Sequence, residues 1–224
     1  LKQPSKVRKI IRWAHHISAG NEYLANYAKQ YNSNVTVVPT LVDTDHYHNH
    51  MQDHSGEKVN IGWTGSVTTL KYIQPLLPIL EELRKTYEFT FYVIADHEPE
   101  WEYDFLKFIP WNKSTEIEDL LNFHIGLMPL RNDEWARGKC GFKAIQYMSL
   151  GIPAIVSPVG VNTEIVADGI HGLYASSPIE WKTAIEKLLN NAGLRRQMGE
   201  KARQSIVDRY SVSAMNPRFQ DLFT

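Results

Sequence analysis

The chain has 224 residues and carries 24 lysines and arginines against 25 aspartates and glutamates, which gives a formal charge of −1. This length allows one or two domains, and a near-neutral chain has no overall field that would draw it onto DNA, RNA or an anionic membrane. With 43% hydrophobic and 22% charged residues, the composition argues against disorder. The single cysteine, Cys140, excludes an intramolecular disulfide and fits a reducing compartment. No apolar run approaches the roughly 18 residues of a membrane-spanning helix.

Residues 1–43 contain the pattern of one α/β unit. The apolar stretch over 10–17 predicts a strand, Asn21 is suited to cap a helix over 22–29, and the β-branched run over 35–38 predicts a second strand. A unit of this size has too little apolar surface to stand alone.

Residues 44–57 are polar and lack a core periodicity, which predicts a linker. Closely spaced histidines in this segment could bind zinc, but no cysteine or second ligand cluster completes a closed site. We expect the four histidines to be solvated: His46, His48, His50 and His54. Because the chain starts with Leu1 and shows no secretory signal, we expect a fragment of a longer protein or a processed chain.

From Lys58 onward, short apolar runs alternate with amphipathic helical patterns. The predicted strands are 59–63, 89–95, 105–111, 125–129, 153–157 and 172–174. The predicted helices are 71–87, 116–122, 139–150, 162–167, 178–190 and 194–209. Continuous apolar strands that alternate with helices indicate a parallel sheet covered on both faces. We therefore predict an α/β fold, a Rossmann-like doubly wound parallel sheet that binds ligands beyond the carboxyl ends of its strands.

A lysine-rich segment opens the predicted helix over 139–150. Lys139, Lys143 and Gln146 follow the i, i+4, i+7 spacing of a single helical stripe. Cations at a helix N-terminus are disfavoured by about 0.3–1 kcal/mol each, and a bound anion would reverse that sign. A glycine such as Gly141 also lets backbone N–H groups approach a phosphate closely. A solvated basic face is the alternative interpretation.

Two further loops follow predicted strands. In the loop over 61–71, Gly65 and Ser66 offer donors to a phosphate and Lys71 adds positive charge, although a plain strand-to-helix turn is the alternative. The third loop covers 157–164. Its candidate residues are Asn162 and Glu164. Because parallel strands end at one edge of a sheet, we expect the three loops to converge on one anion site.

The run over 138–164, the Gly-Trp-Thr-Gly-Ser loop over 62–66 and the segment over 39–43 together resemble the group 1 retaining glycosyltransferases of the GT-B architecture. The resemblance implies two Rossmann-like domains that face each other across a cleft. The C-terminal domain would hold a nucleotide-sugar donor, and the N-terminal domain would hold most of the acceptor site. The implied parts are the last α/β unit of the N-terminal domain (1–43), a linker (44–57), the donor-binding domain (58–207) and a C-terminal crossover segment (208–224), with most of the N-terminal domain missing.

The family carries two glutamates around a Gly-Phe-Gly turn, and the matching positions here are Gly138 and Gln146. The resemblance implies that Gln146 lies where the second glutamate bonds ribose hydroxyls. It also implies that Lys71 contacts the donor phosphates, whereas the partner arginine position is Ser66. Trp111 lies in the segment that matches the base-binding loop, where its ring either packs on the base or belongs to the core.

Lys139 and Lys143 would replace the lost positive charge, and Gly141 matches the second glycine of the turn. The resemblance implies transfer of a sugar, with retention, from a nucleotide-diphosphate-sugar to a glycan or lipid-linked acceptor. It implies no metal, no other cofactor and no nucleic-acid partner. It implies a cytoplasmic location as well, with the inner face of a membrane as an alternative, and little activity for an isolated fragment. No catalytic residue is assigned.

Two other functions stay open. One is a GT-B epimerase or phosphorylase, although no lysine is placed for pyridoxal phosphate. The other is a non-catalytic interaction module, which Gly138 and Ser66 favour because charged residues are expected at both positions.

Overall fold

The computed structural model describes residues 3–56, 58–220 and 222. The first unit contains two helices and two strands: α1 (Pro4–Trp13), β1 (Ile17–Ala19), α2 (Glu22–Lys29) and β2 (Val35–Val37). The two strands pair in parallel and form a small sheet of their own.

The start of the first predicted strand is wrong, because residues 10–13 belong to α1. A proline at the first helical position suits the helical φ angle. Val7 and Ile11 are four positions apart and therefore share one helix face, on which Ile11 is buried. The predicted cap is confirmed, since the side chain of Asn21 accepts the N–H of Leu24 at 2.8 Å.

Six strands form the second sheet: β3 (Val59–Thr64), β4 (Phe89–Ala95), β5 (Leu106–Pro110), β6 (Ile125–Met128), β7 (Ala154–Val156) and β8 (Gly172–Tyr174). Their order across the sheet is β5-β4-β3-β6-β7-β8, and every neighbouring pair is parallel. The predicted doubly wound parallel sheet is confirmed. The strand order reverses between β3 and β6, and ligands bind in the crevice at such a reversal.

The second unit has nine α-helices in its described residues: α3 (Leu70–Ile73), α4 (Leu77–Arg84), α5 (Glu116–Leu120), α6 (Glu134–Arg137), α7 (Phe142–Ser149), α8 (Asn162–Ile165), α9 (Pro178–Leu189), α10 (Ala192–Arg209) and α11 (Val212–Gln220). The predicted helix over 71–87 is interrupted by a 3-10 turn at Gln74–Leu76, where Pro75 lacks the N–H of a regular helix. The predicted helix over 139–150 begins only at α7, because Gly141 has a left-handed backbone with φ of 70°.

A hydrophobic core covers each face of the large sheet. Successive strand residues point to opposite faces. Val93 and Ile155 therefore pack in one cluster together with residues of α4 and α9. Ile94 and Val156 pack in the other cluster with residues of α7 and α10. The sheet thus lies between two helical layers, and α7 and its N-terminus are fixed against the second face.

Residues 44–56 are docked onto the large domain, and the expectation of solvated histidines is wrong for two of the four. His48 and His54 are each only 4% exposed. Arg203 on α10 donates to the backbone carbonyls of His48 and Ser149. Hydrogen bonds to backbone carbonyls need no periodic apolar residues, so the sequence did not indicate that this segment is held in place. In the described residues, no group of three or more His, Cys, Asp or Glu side chains could hold a metal ion.

The end of the chain returns to the segment that follows β2. Val42 and Ser211 form a parallel bridge. The N–H of Val42 donates to the carbonyl of Tyr210 at 3.0 Å, and its own carbonyl accepts the N–H of Val212 at 3.1 Å. Over the described ranges, no helix is long and apolar enough to cross a membrane.

Candidate functional site

The backbone amides of the loop after β3 donate hydrogen bonds within the protein. The N–H of Gly65 donates to a β4 carbonyl at 2.9 Å, and the N–H of Ser66 donates to a hydroxyl of the same loop at 3.0 Å. The N–H of Val67 donates to the carboxylate of Asp96 at 2.7 Å. A Cβ atom on Gly65 would lie 2.3 Å from the indole ring of Trp63, so this glycine makes room for a core side chain. The amides of Gly65 and Ser66 thus donate within the protein, and contact of these two residues with a phosphate stays a prediction.

Three lysines converge over two aromatic rings at the edge of the sheet. The Nζ atoms of Lys71 and Lys139 lie 5.3 and 4.8 Å from the ring centroid of Tyr72. The Nζ atom of Lys143 lies 5.7 Å from the ring of the buried Trp63. We call these three residues the lysine cluster. Lys139 precedes α7, so its side chain joins the other two from a loop and not from the predicted helical stripe.

The lysine cluster carries an excess of positive charge. Burial, together with the charge of Lys139, lowers the pKa of Lys143 to about 8. Burial also lowers the pKa of Lys139, the carboxylate of Asp133 opposes that change, and the charge of Lys71 adds to it. None of the ion pairs found in the described residues includes a lysine of the cluster. A bound anion would relieve both the repulsion and the burial cost.

The N-terminus of α7 lies beside the lysine cluster. Gly141 precedes this helix and has no side chain that could cap it. The first N–H groups of a helix have no partner within the helix itself. A Cβ atom on Gly141 would lie 2.1 Å from the Cδ1 of Ile165, so the left-handed glycine also allows close packing. Lys143 lies in the first turn of α7, where unpaired N–H groups and a lysine can bind the same anion.

A second polar cluster surrounds the carboxylate of Glu116 on α5. Its Oε1 accepts the indole N–H of Trp111 at 2.9 Å and an amide N–H of Gln146 at 3.1 Å. The hydroxyl of Tyr47 donates to the carbonyl of Lys113 at 2.9 Å and also lies 3.3 Å from Oε2 of Glu116. We call four of these residues the Glu116 cluster: Glu116, Trp111, Gln146 and Tyr47. Trp111 is 46% exposed and Gln146 only 2%, so the tryptophan forms the outer edge and the glutamine the floor.

The loop after β7 separates its two predicted residues. Asn162 is 1% exposed, and its Nδ2 donates to the carbonyl of Ser157 at 2.9 Å. The Oδ1 of Asn162 is buried, has no hydrogen-bond partner in the described residues, and lies 3.6 Å from where a Cβ of Gly141 would be. Glu164 is exposed and lines a cavity of about 250 Å³ between the two units. Other residues of that cavity are Glu22, Tyr23, Asn132, Arg137 and Gly160.

The first unit holds the segment that contains Lys139. The Nδ2 of Asn21 donates to the carbonyl of Lys139 at 3.0 Å and to that of Arg137 at 3.4 Å. A Cβ atom on Gly20 would lie 2.5 Å from the Sγ of Cys140, which shows how closely the two units pack. Asn21 was predicted only as a helix cap, because a contact across 118 residues leaves no local signal.

The ten predicted site residues therefore lie in different surroundings. Lys71, Lys139, Lys143 and Gly141 meet at the start of α7, and Asn162 lies beside them. Gln146 and Trp111 meet through Glu116, which the sequence did not single out. The amides of Gly65 and Ser66 are used internally, and Glu164 faces the cavity.

Solved structures of known proteins share this fold. TarM of S. aureus superposes with a TM-score of 0.79 at 16% identity, over 100% of this chain and 46% of TarM. Sucrose-phosphate synthase from Thermosynechococcus elongatus gives a TM-score of 0.74 at 13% identity, over 97% of this chain and 59% of the synthase. Alr3699/HepE from Anabaena, in complex with UDP and glucose, gives 0.78 at 13% identity, over 99% of this chain and 68% of that protein. At such identities the likeness shows the fold alone.

Sequence comparison identifies the family. An uncharacterised glycosyltransferase of Methanocaldococcus jannaschii is 38% identical over 66 residues, which are 29% of this chain and 19% of that protein. This chain thus spans less than two thirds of that relative, of the synthase and of TarM. The family model described as "Glycosyl transferases group 1" matches residues 58–191. Since this match covers more than half of the chain and includes the sheet, the lysine cluster and α7, the chain belongs to the group 1 glycosyl transferases.

Proposed function

We propose that this chain binds the diphosphate of a nucleotide-sugar donor at the lysine cluster and takes part in transfer of the sugar to a glycan or lipid-linked acceptor. The observation that carries the proposal is the convergence of Lys71, Lys139 and Lys143 beside the uncapped start of α7. The negative charge of a diphosphate balances the positive charge of the three lysines. The complex of Anabaena Alr3699/HepE with UDP and glucose supports a nucleoside diphosphate as the ligand of this fold.

The same groups would assist the reaction. When the bond between the sugar and the diphosphate breaks, negative charge grows on the leaving phosphate oxygens. Fixed ammonium groups and helix N–H groups stabilise this charge more strongly in the transition state than in the bound donor. The proposal needs neither a metal nor another cofactor for this step, and it includes retention of the anomeric configuration.

Calorimetry with the purified chain tests donor binding. We expect UDP, GDP or ADP to bind, and inorganic pyrophosphate to compete with the nucleotide. Lys71→Gln and Lys139→Gln each remove one charge-assisted contact and should weaken binding about tenfold. Lys187→Gln, at an exposed position on α9, is the matched control and should leave the affinity unchanged. If no nucleoside diphosphate binds at millimolar concentration, the proposal fails.

A non-catalytic interaction module is the second candidate. It is favoured by the loop after β3, whose amides at Gly65, Ser66 and Val67 all donate within the protein. A full-length protein incubated with a radiolabelled nucleotide-sugar distinguishes the two functions. Release of the nucleoside diphosphate, with label transferred to an acceptor or to water, is expected only of the enzyme.

A further inference from the structure

Two buried histidines attach the segment over 44–56 to the large domain. His54 lies on this segment and is 4% exposed, and His124 immediately precedes β6 and is 7% exposed. Their ring centroids are 6.0 Å apart. We call these two residues the histidine pair. Through their hydrogen bonds, the segment contacts the turn after α7 and the start of β6.

The surroundings of His54 fix the protonation state of its ring. Its Nε2 lies 2.8 Å from the carbonyl oxygen of Gly151, and a carbonyl can only accept, so Nε2 carries the proton. The Nδ1 atom is buried and has no hydrogen-bond partner in the part of the chain that the structure describes. A second proton, at Nδ1, would be a buried donor without an acceptor, which costs free energy of folding.

The ring of His124 is also held in its neutral form. Its Nδ1 accepts the backbone N–H of Asn60 at 3.1 Å, so the proton of the neutral ring is on Nε2. This Nε2 donates to the carbonyl of Ser55 at 3.4 Å and thereby joins the segment to the start of β6. A second proton, at Nδ1, would face the N–H of Asn60, so protonation breaks this hydrogen bond.

The charges around the histidine pair also oppose a second proton. On α10, the guanidinium groups of Arg195 and Arg196 act against a positive charge on His54. Arg195 acts in the same way on His124, and each charged ring would repel the other. The carboxylate of Asp53 has the opposite effect, but this side chain is exposed and its charge is screened by solvent. The turn after α7 contributes a backbone carbonyl.

We infer that the histidine pair is an acid-sensitive attachment, in which a proton taken up by either ring releases the segment over 44–56 from the turn after α7 and from β6. In the released form both rings are hydrated and can be protonated at no cost to the fold. The segment joins the first unit to the large sheet, and it carries Tyr47 of the Glu116 cluster. Its release would therefore loosen the connection between the two units and remove one residue from that cluster.

The linkage between protonation and release determines the size of the effect. Burial lowers the pKa of His54 from 6.5 to about 4 in the attached form, so attachment weakens as the pH falls from 6.5 toward 4. Between pH 7 and 5, the equilibrium constant for release should rise about twentyfold through His54 alone. Burial also lowers the pKa of His124, which adds to the rise. Well above pH 6.5 both rings are neutral in both forms and contribute no pH dependence.

His48 is a third buried histidine of the segment, but it faces a carboxylate. The charge of Glu116 raises the pKa of His48, against the lowering by burial and by the charge of Arg203. We therefore leave His48 outside the histidine pair and expect from it only a small residual pH dependence.

Amide hydrogen exchange followed by mass spectrometry measures the release in the full chain. After correction for the intrinsic pH dependence of exchange, amides within 44–56 should lose about twentyfold or more in protection between pH 7 and 5. Amides of β4 report global unfolding and should keep their protection. His54→Gln presents a neutral N–H to the carbonyl of Gly151, and His124→Asn presents a neutral oxygen to the N–H of Asn60. The double variant should lose less than about threefold in protection over the same pH range.

Matched controls lie on the same segment. His46→Gln and His50→Gln replace exposed histidines and should retain the full loss of protection. The inference is overturned if the double variant loses as much protection as the unchanged chain, or if β4 loses protection in parallel with 44–56. Nitrogen NMR of the unchanged chain decides the question should the double variant not fold. The ring of His54 should stay neutral at pH 5 in the attached form, and a charged ring in a segment that keeps its protection would refute the inference.

Discussion

Replacing Lys143 by methionine should stabilise the protein while weakening its binding of nucleotide. Burial lowers the pKa of this lysine from 10.5 to about 8. At about 1.4 kcal/mol per pKa unit, the charged form costs at most about 3.5 kcal/mol of folding free energy at pH 7. The side chain is half-buried, so we expect Lys143→Met to raise the free energy of unfolding by about 1–2 kcal/mol. Methionine retains the packing on Trp63 without the charge.

The pH dependence of stability provides an independent measure of the same cost. Because the folded-state pKa of Lys143 is lowered, the unfolded chain binds more protons between about pH 8 and 10.5. Stability contributed by this group therefore rises with pH across that window, and the methionine variant should lack the rise. Urea unfolding followed by tryptophan fluorescence at pH 7 and 9.5 measures both effects.

Lys187→Met is the control for this experiment, because Lys187 is exposed on α9. Its free energy of unfolding should stay within about 0.5 kcal/mol of the unchanged chain. If Lys143→Met proved less stable at pH 7 and retained the full rise toward pH 9.5, the charge of Lys143 would not be the source of the cost.

Three further outcomes are expected. The affinity for UDP should fall as the pH rises above about 8, because Lys143 then loses its proton. Calorimetry in buffers of different ionisation enthalpy should show proton uptake on binding. An affinity that stays unchanged from pH 7 to 9.5 would contradict this. Gly141→Ala should cost about 2 kcal/mol or more in urea unfolding, since its φ is 70° and its Cβ would lie 2.1 Å from a core methyl group. Gly169→Ala, with φ of 74° and open space around it, should cost only about 1 kcal/mol, and equal losses would refute the packing argument. Arg203→Met should lower the free energy of unfolding by about 1.5–3 kcal/mol and speed proteolysis within 44–57, because backbone carbonyls lose a charged donor. Lys201→Met is the matched control on α10. An unchanged cleavage rate in the Arg203 variant would show that the arginine does not hold the segment.

The large sheet could be predicted from the sequence because its strands are buried on both faces. The run over 89–95 is apolar almost throughout and coincides with β4, and the residues over 172–174 coincide with β8. A buried parallel strand needs apolar residues on both sides, so the signal is continuous and local. Helix α1 was missed because its apolar side chains alternate with basic ones, and the pattern over 10–13 does not distinguish a short strand from a helix end.

The candidate site could be predicted only in part. Lys139 and Lys143 were found because lysines near a helix start conflict with the local electrostatics. Glu116 was missed because its partner Gln146 is 30 residues away, and an acidic residue in the first turn of a helix is ordinary. The hydrogen bond of the Gly65 amide could not be predicted either, since its acceptor belongs to β4. Local patterns therefore identified the charges but not the long-range hydrogen bonds.

Asn21 has a mechanical consequence for the lysine cluster. Its Oδ1 caps α2, while its Nδ2 holds the carbonyls of Arg137 and Lys139. Hydrogen bonds weaken steeply once the two atoms separate beyond about 3.5 Å. A tilt of α2 by less than an ångström would therefore break the hydrogen bonds to the backbone that carries Lys139. The ammonium group of Lys139 would then no longer be held above the ring of Tyr72. The position of one ammonium group of the lysine cluster thus depends on the packing of the first unit.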